Sequence, residues 1–499
     1  MKRSFIRTFA IIGSVAVAGL AVRTAAEGPE GDFGSFVAAQ LRAHSGELFG
    51  FSHPLEKSAL GPFDGPSTQA LEVAQGLTVS LVSSAVEAAG DQIALWPDDD
   101  NPTRLFVCDE ETSFPAVQRI DLSGPPNANA TTIVTGLVSC DPVRRTPWGT
   151  IIVAEEAGAT GGFYEILDPA GITTPINVTD RAAGTTSDPT HLVKRKAVGS
   201  LSFESFAIRA DGTMIFGDEL APSGGNAGGG IYKFVPEFPY SGGGPITFLN
   251  QSPFASGTVY GLRVAAAGSS NWGQGAEIGK GQWRQVDLTG AGVVDANGNV
   301  ILRVAQTLQR FTGYYRPEDM DIDPIAAANG VFRACWANTG RLSHAGGSIV
   351  ENGAVYGEIM CLVEEPPSAA VPAPPTGTIP HVTRFIAGSQ EAGMFDNVAF
   401  QPHTGNLVVL EDGPTSIVTP NGTELRGNDL WICLPDGADD DVQSDGCVRF
   451  ASLRDTSAEP SGFIFLGSGE SAFVHLQHRD VDNTNHRGSL MKISGFKVK

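Results

Sequence analysis

Positive charge is scarce in this chain, whose 499 residues include 33 Lys and Arg against 55 Asp and Glu. The formal net charge of −22 repels phosphate backbones and anionic lipid surfaces, which argues against binding nucleic acid or a membrane through bulk charge. Any anionic substrate would therefore need bound cations. Beyond the N-terminus no apolar run is long enough to cross a bilayer, so we expect a soluble protein.

Several common catalytic signatures are also missing from the sequence. There is no G-x-S-x-G elbow, no H-E-x-x-H pair and no C-x-x-C motif, which removes support for a hydrolase of the Ser-His-Asp elbow type, a zinc peptidase of that kind and a structural zinc site. Residues 275–280 resemble a phosphate loop, but Gly281 follows Lys280 where Ser or Thr is required.

The first 26 residues have the parts of a secretory signal. Lys2, Arg3 and Arg7 precede an apolar stretch over residues 9–22, and small residues follow it. Residues 2–6 resemble a twin-arginine signal with Lys in the first arginine place, and an ordinary secretory signal is the open alternative. We expect a periplasmic or secreted protein.

The six cysteines are compatible with that compartment, because an oxidising environment permits disulfides. Cys433 and Cys447 flank an acidic insert, and Cys335 and Cys361 flank an expected hairpin, so these two pairs are plausible disulfides. Spacing alone does not fix the connectivity, and Cys108 and Cys140 are left over.

A loose pattern recurs along the chain: a turn, an apolar β-prone run and then acidic or polar residues. It is present at residues 105–111, 150–156, 213–219, 331–339, 406–412 and 472–478. The pattern and the 61 Gly predict an all-β fold, a β-propeller of about six blades with irregular insertions. A further unit is expected within residues 245–305.

The predicted domains are a signal peptide (1–26), an N-terminal arm (27–89) and a single propeller (90–499) with a Pro-rich insertion at 364–380. In a propeller the innermost strands surround one channel, so the acidic strand ends would converge there. Converging carboxylates repel one another unless cations lie among them. Each pair alone could simply end a strand in a solvated loop, but the repetition favours a metal site.

Several segments, collinear over about residues 135–480, resemble the PhoX-type alkaline phosphatases. They are Cys140 with Thr146-Pro147-Trp148-Gly149-Thr150 and Glu155-Glu156, the segment from Gly199 to Glu204, Gly217-Asp218-Glu219, Arg316-Pro317-Glu318-Asp319, Phe395-Asp396-Asn397, Gly405 to Gly413, Glu459 to Gly462, and Gln477-His478. The resemblance implies one β-propeller whose central site holds iron and calcium ions (Fe³⁺ and Ca²⁺) and hydrolyses phosphomonoesters outside the cytoplasm.

The resemblance also implies a set of metal ligands. They are Cys140, Glu156, Glu204, Glu219, Glu318, Asp319, Asp396, Asp412 and Glu459. A thiolate such as Cys140 favours iron, whereas carboxylates suit calcium. Alternation along a strand lets only one of Glu155 and Glu156 face the channel, and we prefer Glu156. A disulfide between Cys108 and Cys140 is the alternative, and it would remove the basis for iron.

Three arginines are candidate catalytic residues that would bind phosphate. Arg316 could orient the substrate or simply pair with Glu318. Arg144 and Arg145 lie in a segment that replaces a short glycine-rich turn of the family; they could bind phosphate or mark a site that has diverged.

The leading hypothesis is an exported, metal-dependent phosphomonoesterase that acts as a monomer on small phosphate esters. One alternative is a calcium-dependent propeller lactonase or related hydrolase. Another is a noncatalytic binding protein whose propeller is stabilised by calcium.

Overall fold

A computed structural model describes residues 35–61, 63, 65–111, 116–223, 226–266, 268–340, 356–367, 376–389, 391–413, 416–419, 422–425, 427–437, 441–477 and 488–498. The predicted signal peptide, residues 368–375 of the Pro-rich insertion and His478 lie outside these residues. Within them, no helix is both long and apolar enough to span a membrane.

The N-terminal segment contributes one helix and two strands, α1 (Ser35–Leu48), β1 (Leu71–Val73) and β2 (Thr78–Ser83). The strands do not form a separate arm: β1 pairs with a strand of the fifth blade and β2 with the last strand of the sixth. The predicted boundary at residue 90 is therefore too late, because the propeller already begins at Leu71.

Six sheets form the six blades that the sequence predicted, in chain order. Blade 1 contains β3 (Gly90–Trp96), β4 (Arg104–Asp109), β5 (Val117–Asp121) and β6 (Ala130–Thr135). Blade 2 contains β7 (Cys140–Arg145), β8 (Ile151–Glu155), β9 (Phe163–Ile166) and β12 (Leu192–Lys194). Two strands from the β9–β12 connection, β10 (Ile176–Asp180) and β11 (Thr185–Thr186), extend the outer edge of blade 1.

Blades 3 and 4 carry the longest insertions. Blade 3 contains β13 (Phe203–Ile208), β14 (Met214–Asp218), β15 (Gly229–Pro236), β16 (Gly257–Arg263) and β18 (Gln282–Gln285), with β19 (Gly313–Tyr314) pairing with β15. Blade 4 contains β20 (Pro317–Ile322), β21 (Arg333–Asn338), β22 (Glu358–Glu365), β23 (Ile379–Ala387) and β17 (Gly279–Lys280). The helices α2 (Leu302–Gln309) and α3 (Pro324–Ala328) lie in these insertions.

The last two blades are completed from the N-terminus. Blade 5 contains β24 (Phe395–Phe400), β25 (Leu407–Glu411), β28 (Asp429–Cys433), β29 (Cys447–Leu453) and β1; the hairpin of β26 (Ser416–Thr419) and β27 (Gly422–Leu425) is a separate sheet. Blade 6 contains β30 (Glu459–Phe465), β31 (Ser471–Gln477), β32 (Ser489–Ser494) and β2.

The six repeat segments read from the sequence fall in six different blades, one in each. The expected further unit within residues 245–305 is wrong, because that stretch supplies outer strands of blades 3 and 4 and the helix α2. The apolar runs of residues 245–305 are β16 and buried loop residues, and β16 belongs to blade 3.

The core lies between the blades, since each sheet packs on its neighbours through both faces. The strand β8 is accordingly buried at every position. Trp148 is fully buried and packs edge-on against Phe254, with ring centroids 4.9 Å apart. Two predicted disulfides are confirmed, Cys335–Cys361 and Cys433–Cys447, and each joins adjacent strands within one blade.

Candidate metal centre

The innermost strand of every blade starts at the same end of the channel. Its first residue lies opposite the last residue of the second strand, in the pairs Gly90–Asp109, Cys140–Glu155, Phe203–Asp218, Pro317–Asn338, Phe395–Glu411 and Glu459–Gln477. In all six blades the register shifts within the next few residues. Such bulges bend a strand and re-aim its side chains, and here they turn the strand starts toward the axis.

Acidic residues occupy these re-aimed positions in every blade. Five blades carry one at the second position of the innermost strand and blade 6 carries one at the first: Asp91, Asp141, Glu204, Glu318, Asp396 and Glu459. The first five side chains are buried in the protein. We call these six residues the carboxylate ring.

A second set of carboxylates follows the second strand of four blades, Glu110, Glu156, Glu219 and Asp412. The residue before each of them points into its own blade instead. Glu155, for example, accepts hydrogen bonds from Arg181 Nε (2.5 Å) and from the backbone N–H groups of Val138 and Gly162 (both 2.9 Å). The alternation therefore directs Glu156 to the channel, as the sequence predicted.

Three groups of carboxylates lie close enough to share a cation, each with its oxygens within 4.8 Å of one another. They are Asp91 with Asp396 and Glu459, Asp91 with Glu110 and Asp141, and Glu156 with Glu204 and Glu219. Asp91 belongs to two groups, so the first two are continuous. Asp412 contributes repulsion to the first group, which places it beside that group.

Burial raises the pKa of these acids, and neighbouring carboxylates raise it further. The pKa of Asp91 rises to about 8 and that of Glu156 to about 7. The same two causes, burial first, raise the pKa of six others well above its ordinary value: Glu110, Asp141, Glu204, Glu318, Asp396 and Glu459. Since a bound cation would favour the charged form, the ring is built for a ligand that supplies positive charge.

The donor atoms fit a hard cation. Asp91 Oδ1 and Asp141 Oδ1 are buried and have no hydrogen-bond partner among the described residues, so an oxygen is available for coordination in each of the two groups that contain Asp91. All donors in the three groups are carboxylate oxygens. Oxygen-only sites of this kind suit calcium, which accepts six to eight oxygen ligands in flexible geometry.

Arg316 is the cation that contacts this cluster directly. Its Nε donates to Glu219 (2.6 Å) and its Nη2 lies 3.0 Å from Glu318, so pairing with Glu318 is observed. Its backbone has φ +56°, a left-handed conformation that a non-glycine residue adopts at some cost. The side chain remains 30% exposed, so these two ion pairs do not enclose it completely.

Sequence reasoning missed four residues of the site. Asp91, Glu110 and Asp141 form one of the three groups, although only Glu110 lay in a repeat segment. Arg303 of α2 binds both oxygens of Asp218 (2.8 Å and 3.0 Å from Nε) and the carbonyl of Glu219 (2.8 Å from Nη2), which holds the strand end that presents Glu219. No motif marks an arginine that arrives from an insertion.

Two predicted ligands are corrected. Cys140 forms a disulfide with Cys108 that joins blades 1 and 2, so its sulfur provides no thiolate and its prediction as an iron ligand is wrong. The prediction of Asp319 as a ligand is also wrong, because both of its carboxylate oxygens already accept hydrogen bonds. Oδ1 accepts from Arg144 (2.8 Å) and from the backbone N–H of Met320, and Oδ2 accepts from the N–H of Val398 (3.2 Å).

Two arginines that were predicted to bind phosphate, Arg144 and Arg145, are each paired with an aspartate of the protein. The Nη2 of Arg144 is engaged with Asp319 (2.8 Å) and with Ser205 Oγ (3.2 Å). Arg145 points out of the channel and bonds to Asp99 (2.7 Å), whose side chain is half exposed, and to the carbonyl of Leu95 (3.0 Å). Both belong to the scaffold.

The raised pKa values predict a metal-free protein that is less stable at high pH. Acids with raised pKa contribute stability below their ordinary pKa, near 4, and this stability is lost as the pH rises through the raised values, about 7 for Glu156 and about 8 for Asp91. We expect the melting temperature of chelator-treated protein to fall by roughly 5–10 °C between about pH 5 and about pH 9, and calcium to reverse the fall. Thermal scans across pH check this, and a pH-independent melting temperature would contradict it.

Comparison with known proteins agrees with this geometry. The model of the family described as alkaline phosphatase PhoX matches residues 115–480. A structure of Pseudomonas fluorescens PhoX in complex with vanadate, a transition state analogue, is 15% identical, with a TM-score of 0.60 over 90% of this chain and 98% of that one. This likeness supports the six-bladed fold.

Two other solved structures are less similar. Kuenenia stuttgartiensis hydrazine synthase is 14% identical with a TM-score of 0.40, covering 81% of this chain and 95% of that one. A gluconolactonase from Xanthomonas campestris is 11% identical with a TM-score of 0.38, covering 89% and 97%. Among curated proteins, no sequence matches the chain.

Proposed function

The chain belongs to the alkaline phosphatase PhoX family, a family of metal-dependent phosphomonoesterases, and from that premise we propose that its carboxylate ring binds calcium ions. The observation that carries the proposal is the set of three carboxylate groups at one end of the channel, two of which contain a buried oxygen without a hydrogen-bond partner among the described residues. Iron is not part of the proposal, because the expectation of iron rested on a Cys140 thiolate and that sulfur is paired with Cys108.

Two kinds of residue would have separate roles in phosphate ester hydrolysis. The three carboxylate groups would hold the cations, and Arg316 would bind a phosphate oxygen through the exposed part of its guanidinium. Bound calcium would neutralise the phosphate and stabilise the developing charge on the leaving oxygen. Glu219 and Glu318 hold Arg316 in place from two blades, so its orientation is set before substrate arrives.

We propose in addition that the enzyme is exported and acts as a monomer. The basic, apolar and small-residue order of the first 26 residues supports export, and the three disulfides are compatible with an oxidising compartment. One chain supplies every carboxylate of the ring, so no second subunit is needed to complete the site.

Metal analysis combined with an activity assay tests the proposal. Protein purified without chelators should contain calcium and release phosphate from an aryl phosphate; chelation should lower the rate by at least about a hundredfold, and calcium should restore it. Hydrolysis that survives complete chelation would contradict the metal role. Calcium binding without phosphate release would favour the noncatalytic propeller instead, and stoichiometric iron would contradict the exclusion of iron.

A further inference from the structure

A belt of hydrogen bonds lies directly beneath the carboxylate ring. Its residues occupy the third position of the innermost strands, Gln92, Ser205, Asp319, Asn397 and Ser461. Each of these five side chains bonds to the backbone of a blade other than its own. Three of them donate to carbonyl groups: Gln92 Nε2 to Glu204, Ser205 Oγ to Met320 (3.0 Å) and Ser461 Oγ to Gly90 (3.1 Å). The other two accept from backbone N–H groups, Asp319 from Val398 and Asn397 from Gly462.

Blade 2 is the exception, because its third position is Pro142, whose side chain has no hydrogen-bonding group. Arg144 lies two residues further on, and its hydrogen bonds to Ser205 and Asp319 place its guanidinium in the belt. Its Nη2 donates to Asp319 Oδ1 (2.8 Å), Ser205 Oγ (3.2 Å) and the carbonyl of Met320 (3.2 Å). One guanidinium therefore connects blade 2 to blades 3 and 4.

Each residue joined by Arg144 is close in sequence to a member of the carboxylate ring. Ser205 follows Glu204 and Asp319 follows Glu318, while Arg144 shares its strand with Asp141. Glu204 in turn shares hydrogen bonds with both Asp141 and Glu318. The separation of these three carboxylates is therefore tied to the separation of the strands that Arg144 connects.

We propose that Arg144 is a positioning residue that sets the spacing of Asp141, Glu204 and Glu318 for metal binding, an inference that rests on the proposed metal role of the ring. Coordination requires ligand distances within a few tenths of an ångström, so a small shift between blades weakens the site. Outer partners that orient metal ligands typically change metal affinity or activity by about 10–100-fold when they are replaced.

The test compares calcium dependence in Arg144→Lys and a matched control. Lysine keeps the charge, but its Nζ ends one bond nearer the backbone than the Arg144 Nη2 that makes all three contacts, so it falls short of Asp319, Ser205 and Met320. Arg333→Lys is the control, because Arg333 makes an equally short ion pair with Asp323 (2.8 Å), also largely buried, at the end of blade 4 opposite to Glu318. Both proteins are stripped of metal and titrated with calcium, and aryl phosphate hydrolysis and melting temperature are followed.

We expect Arg144→Lys to need about 10–100-fold more calcium for half-maximal activity, with kcat at saturating calcium and KM for the ester within about threefold of the parent. Arg333→Lys should lose thermal stability without that shift. The inference is overturned by an unchanged calcium titration, by an equal shift in the control, or by a raised KM and phosphate inhibition constant at unchanged calcium affinity, which would make Arg144 a substrate ligand.

Ser205→Ala covers the case in which Arg144→Lys does not fold. It removes one of the bonds that Arg144 makes and should shift calcium dependence in the same direction by a smaller factor; an unchanged titration would overturn the inference. If the parent enzyme itself shows no calcium-dependent hydrolysis, the proposed metal role fails, and that result is distinct from a failure of the Arg144 inference.

Discussion

Replacing Glu204 with glutamine should lower kcat/KM for an aryl phosphate by about 10³-fold while the metal-free protein becomes more stable. Glu204 lies in the group with Glu156 and Glu219 and shares hydrogen bonds with Asp141 and Glu318, so it connects two parts of the ring. Removing its charge removes a ligand, which costs metal and activity. The same change relieves repulsion that is present without metal, so the chelated variant should melt at a higher temperature than the chelated parent.

Glu165→Gln is a suitable control for that experiment. Glu165 is a fully buried glutamate of blade 2, bonded to Arg195 (2.7 Å) and Trp148 (2.8 Å) in the blade rather than at the channel. Its loss should lower the melting temperature with and without calcium and leave the activity of the folded protein near that of the parent. Full calcium binding and activity in Glu204→Gln would exclude Glu204 as a ligand.

Replacing Arg316 with alanine should lower kcat/KM by about 10²–10³-fold, the usual cost of removing one preorganised donor to a charged reaction centre. The inhibition constant of orthophosphate should rise with it, because product and substrate share the phosphate group. Calcium content should change less than in Glu204→Gln, since Arg316 is a partner of the carboxylates and not a ligand. Steady-state kinetics with phosphate inhibition, together with metal analysis, measure these effects.

Arg316→Lys separates charge from geometry in that experiment. It keeps a positive charge beside Glu219 and Glu318 but loses the fixed fork, so it should recover part of the lost activity. Unchanged phosphate inhibition in Arg316→Ala would limit Arg316 to the ion pairs that the structure shows with Glu219 and Glu318.

The repeated strand pattern was enough to predict the propeller. It also predicted the acids that follow the second strands of the blades, such as Glu156, Glu219 and Asp412. Alternation along β8 implied that only one of Glu155 and Glu156 faces the channel, and alignment to the paired acids of the family motif favoured Glu156. The family motifs added Glu204, Glu318 and Asp396. Asp91 could not be found in this way, because it lies before the region of resemblance and is the single acid of its strand.

The sequence could not show that Asp319 and Arg144 form an ion pair, because they are far apart in the chain. They are 175 residues apart, and each alone is typical of an active site: an acid beside a ligand motif, and an arginine beside a cysteine. Only the fold shows that they neutralise each other in the belt. The pairing of Cys108 with Cys140 was likewise one of two open readings, since spacing does not distinguish a ligand from a disulfide partner.

The junction of the two chain ends in blade 6 has a consequence for folding. Thr78 of β2 lies opposite Ser494 of β32, so the sheet that closes the ring joins residues from both ends of the sequence. Such pairing has a very high contact order and forms late, because a long loop must close before the contact stabilises it. Blade 6 cannot complete until β32 has left the ribosome, and until then the innermost strand β30, which carries Glu459, has only β31 beside it in its own sheet.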